Sequence, residues 1–172
     1  MLSRISFVTL AAAFALIAGQ VGTADAQSVP IKGSGTEGMY DPGSGTYWGE
    51  GIVSHMGRSS YVGNIVITDV FPPTPGTFFA GLFEGTQELV AANGDKLFFD
   101  VSGEVNLEID PATGLVFGTW LLDWEITGGT GRFEGATGST EGAAINPPFD
   151  PAVVPWIFDW YFDGEIDLAK RR

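Results

Sequence analysis

From Trp156 to Leu168 the chain alternates. Trp156, Phe158, Trp160, Phe162, Ile166 and Leu168 share one parity, and Asp159, Asp163, Glu165 and Asp167 share the other. A period of two puts the aromatics on one face of a strand and the carboxylates on the opposite face. A strand packed on one side and wet on the other belongs to an antiparallel sheet. Gly164 interrupts the apolar face, as a bend or bulge in a closing barrel would. The segment Leu115–Thr127 behaves the same way, with Val116, Trp120, Leu122, Trp124 and Ile126 on one face.

The same logic predicts strands at Thr46–His55, Ser59–Val70, Phe78–Ala91, Lys96–Val101, Val105–Ile109, Leu115–Thr127, Thr137–Ala144 and Pro155–Leu168. Clusters such as Phe71-Pro72-Pro73-Thr74-Pro75-Gly76 and Ala92-Asn93-Gly94-Asp95 separate them. Pro cannot donate to a ladder, and Gly and Asn accept positive φ, so each cluster predicts a turn. Gln27 to Gly45 is rich in Gly, Ser and Pro and shows no apolar period, so it reads as a loop or a loosely held arm. Its Gly33-x-Gly35-x-x-Gly38 spacing is a nominal dinucleotide fingerprint. No predicted strand precedes it and no amphipathic helix follows, so turn glycines explain it better. About eight sequentially paired strands suggest an up-and-down barrel, which leaves no exposed edge, or a sandwich.

The N-terminus has a separate purpose. Arg4, the 12-residue apolar run Phe7–Ala18 and Ala24-Asp25-Ala26 together read as a secretory signal peptide cleaved after Ala26. The expected product is soluble, in the periplasm or outside the cell, without a membrane association of its own. The expected organisation is a signal peptide (1–26), a Gly-rich arm (27–45), one β-barrel domain (46–168) and a basic tail (169–172).

Composition narrows the function. The 172-residue chain has 8 Lys and Arg against 21 Asp and Glu, a net charge of −13, and no Cys. Up to Asp167 the expected mature body holds four cations, Lys32, Arg58, Lys96 and Arg132, among twenty carboxylates. Nucleic acid and anionic substrates are repelled by such a field. Disulfide scaffolds, thiol catalysis and zinc–thiolate sites need cysteine. With 44% hydrophobic residues the chain can bury a core, so it is not disordered.

Three stretches carry a resemblance. Gly128-Gly129-Thr130-Gly131-Arg132-Phe133-Glu134-Gly135-Ala136-Thr137-Gly138 resembles the GGTGxFxGAxG signature of the allene oxide cyclase-like barrels, a superfamily that also includes the plant dirigent proteins. Gly51-Ile52-Val53-Ser54-His55-Met56-Gly57-Arg58-Ser59 is similar to the G-x-x-T-H-L-G-x-S/T stretch of small secreted bacterial members. Ala91-Ala92-Asn93-Gly94-Asp95-Lys96-Leu97 is similar to their A-x-N-G-D-x-L turn. The resemblance spans Gly51 to Leu168. It implies a calycin-like, closed antiparallel barrel of about eight strands, and a homo-oligomer as in plant relatives. It also implies an apolar cavity, used in allene oxide cyclases to cyclise a fatty-acid epoxide and in dirigent proteins to guide phenoxy-radical coupling. The shared glycines are scaffold, so no catalytic residue carries over.

The residues themselves point to little chemistry. Gly128, Gly129, Gly131, Gly135 and Gly138 read as a structural motif that permits a tight strand crossing, with Phe133 pinning it to the core. His55 is the sole histidine and has no nucleophile motif around it. Together with Arg58, which an ion pair would occupy structurally, it is a candidate ligand contact. Trp120, Trp124, Trp156, Phe158, Trp160 and Phe162 either line a ligand cavity or fill the core. Glu50, Asp100, Glu104 and Asp123 interrupt β runs, and one could point inward with a raised pKa. The ladder Asp159, Asp163, Glu165 and Asp167 lacks a one-loop calcium pattern, and neither metal nor cofactor is expected. The leading expectation is a non-catalytic secreted barrel that binds a small apolar ligand or serves as an extracellular module. The alternatives are an isomerase or cyclase acting on an apolar substrate in the cavity, and a surface interaction protein.

Overall fold

A computed structural model describes residues 27–169. The expected signal peptide and the basic end of the tail, 170–172, lie outside the described residues. Eight antiparallel strands close into a barrel in simple chain order: β1 (Gln27–Asp41), β2 (Thr46–Val53), β3 (Gly57–Val70), β4 (Thr77–Ala91), β5 (Lys96–Ile109), β6 (Val116–Gly129), β7 (Thr137–Phe149) and β8 (Trp156–Leu168). Among the described residues the only helical element is one 3₁₀ turn, Gly131–Phe133. No described helix is long and apolar enough to cross a membrane.

Two expectations need correction. The stretch expected as an arm is β1, which pairs with β2 from Gly33↔Val53 to Asp41↔Thr46 and with β8 from Gln27↔Leu168 to Met39↔Trp156. It is the strand that closes the barrel. The segments expected as two strands, 96–101 and 105–109, form the single strand β5. Gly103 lies between them at an inward position opposite Phe83 and Leu122, where a larger side chain would strike the Leu121 carbonyl.

That pairing of glycine with a large neighbour recurs and shapes the core. Gly33 faces Phe162 and Gly35 faces Trp160 across the β1–β8 ladder, while Tyr47 faces Gly63 and Gly49 faces Tyr61 across β2–β3. Each ring lies over the bare backbone of the glycine beside it. A narrow barrel has room for large rings only where its neighbouring inward positions are empty. The rings then pack against one another: Tyr61 on Trp160 at 5.4 Å and Trp120 on Phe158 at 5.7 Å edge to face, and Trp124 on Phe162 at 5.5 Å with its plane tilted.

The two ends differ. The β1–β2, β3–β4, β5–β6 and β7–β8 connections form one end. Asp41, Asp110 and Asp150 each begin a turn there, accepting the backbone N–H two residues on. The β2–β3, β4–β5 and β6–β7 connections form the opposite end. The three stretches 51–59, 91–97 and 128–138 all sit at this second end.

Candidate functional site

At the second end the loops lock together. Phe133, fully buried, seals the barrel floor with Ala136 beside it. Gly131 has φ +60°, and a Cβ there would strike the Asp95 carboxylate. Arg132 bonds Asp95 Oδ2 through Nε at 2.9 Å and Asn93 Oδ1 through Nη2 at 3.2 Å, with its guanidinium 5.2 Å from the centre of the Phe133 ring. The Thr130 N–H and the Lys96 carbonyl complete the clasp at 2.9 Å. Asp95 sits below the usual carboxylate range, first because Asn93 donates to it and then because of Arg132. The clasp is exposed, so Arg132→Ala is expected to lower stability only slightly in chemical denaturation, as loss of a surface pair does. A large loss would mean that the floor depends on the ion pair rather than on Phe133.

His55 lines no pocket, and Arg58 lines only a shallow outer groove with Glu50 and Ile52. His55 is exposed in the β2–β3 turn with φ +65°, and its Nε2 lies 2.8 Å from the Pro30 carbonyl. Arg58 is exposed on the outer side of β3 and, contrary to expectation, forms no ion pair among the described residues. The carboxylates Glu50, Asp100, Glu104 and Asp123 all face outward. The β8 ladder Asp159, Asp163, Glu165 and Asp167 also lies on the outer side, and no described cluster of His, Cys, Asp or Glu is arranged to hold a metal.

The first end is open. A pocket of about 490 Å³ enters the barrel mouth, walled by Met39, Ile65, Phe79, Leu107, Trp120 and Trp156 and roofed in part by the β1–β2 turn. Beneath it lies a small chamber of about 20 Å³, room for one or two waters. Met39, Ile65 and Trp120 belong to both and form the partition. Of the aromatics singled out in the sequence, Trp120 and Trp156 line the mouth pocket. Trp120, Trp124, Phe158 and Trp160 line the chamber, and Phe162 is packed core.

The chamber holds polar groups that the sequence reading missed. Glu37 points inward from β1, where its Oε2 accepts a hydrogen bond from the Tyr61 hydroxyl at 2.8 Å. Gln87 Oε1 accepts from the Tyr47 hydroxyl at 2.9 Å and from Trp124 Nε1 at 3.2 Å. Trp120 Nε1 donates to Asn146 Oδ1 at 3.1 Å, and Asn146 Nδ2 donates to the Ile157 carbonyl at 3.0 Å. Burial pushes the Glu37 carboxyl up to about 7, with the Tyr61 hydrogen bond opposing. Burial also drives Tyr47 and Tyr61 upward, aided by the Glu37 charge. Among the described residues no Lys, Arg or His lines the chamber. The available signal was parity: Ile31, Gly33, Gly35, Glu37 and Met39 alternate along β1, but two of the five are glycines.

Fold and site together define the class: a closed eight-stranded antiparallel barrel with an apolar mouth pocket over a small polar chamber. In comparisons with known proteins, no family model, curated protein or solved structure matches this chain.

Proposed function

We propose that this protein is a secreted binding barrel that takes a small apolar molecule into its mouth pocket. The observation that carries the reading is the pocket itself: about 490 Å³ in volume, walled by aliphatic and aromatic side chains, at the open end of an otherwise filled barrel. That volume falls in the range of small-molecule sites, roughly 300–1,000 Å³. The N-terminal targeting pattern supports an extracytoplasmic setting. The three stretches at the floor support kinship with the allene oxide cyclase-like barrels. Binding is favoured over catalysis because Glu37, the one carboxyl among the described residues that lines the chamber, lies behind Met39, Ile65 and Trp120 in a space too small for a substrate body.

Butylbenzene is a suitable probe. Burying about 250 Å² of ligand carbon at about 25 cal/mol per Å² corresponds to about 6 kcal/mol, a Kd on the order of tens of micromolar. Calorimetry on the mature protein is expected to show that affinity, with Trp120 and Trp156 fluorescence changing in parallel. Ile67→Trp places a ring at the exposed rim of the pocket and is expected to weaken binding at least tenfold. Equal affinity in the two proteins would move the ligand elsewhere and remove this reading.

A further inference from the structure

The chamber holds a buried acceptor without a donor. Glu37 Oε2 takes the Tyr61 hydroxyl, while Glu37 Oε1 has no hydrogen-bond partner among the described residues. The partnerless side-chain atoms that are wholly sealed are Ser59 Oγ, Thr140 Oγ1 and Trp160 Nε1. Glu37 Oε1 is not one of them, so it keeps accessible surface, and its side chain lines the chamber. On the same chamber the Tyr47 hydroxyl donates to Gln87 and retains lone pairs of its own. Buried polar groups in folded proteins nearly always have partners, so the free carboxyl oxygen calls for a donor.

The surroundings favour a cationic donor. Tyr47 of β2 and Tyr61 of β3 are the titratable groups packed around Glu37, and both are pushed upward and so stay neutral. Gln87 of β4 is an amide, and Trp120 and Trp124 of β6 and Phe158 and Trp160 of β8 are aromatic. The described cations stand elsewhere: Lys32, Arg58 and Arg132 are exposed, and Lys96 pairs with Glu88 at 2.7 Å. Nothing in the barrel therefore balances the Glu37 charge once it forms. Aromatic faces attract a cation, most strongly where water is excluded. The acidic outer wall raises the local concentration of cations and repels anions. The space, about 20 Å³, takes one group the size of a water, which a primary ammonium is.

We infer that the chamber is a head-group subsite for a primary ammonium. The ligand is an apolar primary amine whose body fills the mouth pocket and whose ammonium passes Met39 to donate to Glu37 Oε1 and the Tyr47 hydroxyl among the chamber's rings. This rests on the mouth-pocket reading and extends it to a ligand class. Met39 is the partition side chain best able to yield, being unbranched with several rotatable bonds.

The test is calorimetry on the mature protein with 4-phenylbutylamine and pentylbenzene, which differ by an ammonium in place of a methyl group. Leaving water costs an ammonium far more than a methyl group, so an apolar pocket alone favours pentylbenzene. With the subsite, the amine is expected to bind at least as tightly at pH 8. Glu37 titrates near 7 in the empty barrel, so the ammonium displaces its proton at pH 6 and meets a carboxylate at pH 8. Amine affinity is expected to rise about tenfold from pH 6 to pH 8, while that of pentylbenzene stays within about twofold. At pH 6 nearly one proton is released per amine bound, read by comparing two buffers of different ionisation heat. Glu37→Gln keeps the shape and an oxygen for Tyr61 but removes the charge. It is expected to weaken the amine about tenfold or more at pH 8, to abolish its pH dependence and to leave pentylbenzene within about twofold.

If pentylbenzene binds and the amine binds more weakly, or equally in the two proteins, the subsite is refuted and the mouth pocket stands. Equal amine affinity would place the ammonium on outer carboxylates at the rim. The Gln87 amide nitrogen also lacks an acceptor among the described residues, so 4-phenylbutanol is the third ligand. Tighter binding of the alcohol than of the amine, with no proton released, would assign a neutral hydroxyl and overturn the ammonium. If none of the three binds, both readings fall. The pH series on the wild-type protein decides even if the variant does not fold.

Discussion

Glu37→Gln is expected to raise the melting temperature at pH 8 by roughly 5–10 °C and to change it little at pH 4. The carboxyl titrates near 7 in the folded barrel against 4.5 in the ordinary range, because burial disfavours its charged form. The folded state thus holds a proton that the unfolded state has released over the interval from about 4.5 to 7. Stability falls with rising pH wherever the folded state binds more protons. The contribution is intact below the unfolded value, is lost progressively through the interval, and levels off above the folded value. A difference of about 2.5 units corresponds to about 3 kcal/mol. For a chain of this size each kcal/mol moves the melting temperature by about 2–4 °C. Gln keeps an oxygen for the Tyr61 hydroxyl and removes the charge, so the variant lacks the loss. Asp95 and Asp110, held below the usual carboxylate range by the hydrogen bonds they accept, add stability as pH rises, but they do so in both proteins and cancel in the difference. Melting curves from pH 4 to 8.5 test this. Wild-type and variant profiles that run parallel would mean that Glu37 ionises at its ordinary value, with solvent reaching it.

What the sequence made legible follows the same physics. Strands β6 and β8 were readable because Trp120, Trp124, Trp160 and Phe162 occupy inward positions and print the alternation onto the chain. Strand β1 was not, because those same rings take the space on its inner side. Opposite Trp160 and Phe162 it carries Gly35 and Gly33, which register as turn residues rather than as the vacant half of a pair. Glu37 was hidden by the same effect, since this inward carboxyl lies in the strand whose apolar signal is borrowed from its neighbour. The conspicuous carboxylates Glu50, Asp100, Glu104 and Asp123 interrupted clear β runs only because they occupy the outer parity. His55 drew notice as the sole histidine, and it lies in a tight turn against the Pro30 carbonyl, at the end of the barrel away from the mouth pocket. A strand-by-strand reading counts hydrophobic positions on each strand alone, whereas a narrow barrel fills its volume across pairs of strands.

That dependence makes Gly51→Val the substitution with the largest expected cost, about 3 kcal/mol or more in chemical denaturation. Gly51 faces inward on β2, and a Cβ there would strike Trp160 Cζ2 and crowd the Ser34 carbonyl of β1. The carbonyl is fixed in the ladder that pairs Ser34 with Ile52 and Gly35 with Gly51. The indole cannot slide away, since Tyr61 lies at 5.4 Å on one side and Phe162 stacks at 5.6 Å on another. Overpacking of a well-filled core costs about 1–3 kcal/mol where neighbours can give, and more where they cannot. Gly57→Ala is the control. Gly57 has φ +73° and open space around it, so its replacement carries only the backbone penalty, about 1 kcal/mol. Trp160→Leu in the Gly51→Val background removes the obstructing ring, and the two changes are expected to cost less together than the sum of each alone. Additive costs, or a Gly51→Val loss no larger than that of Gly57→Ala, would show that the rings adapt freely. In that case the place of Trp160 in the wall would not be set by the glycine at all.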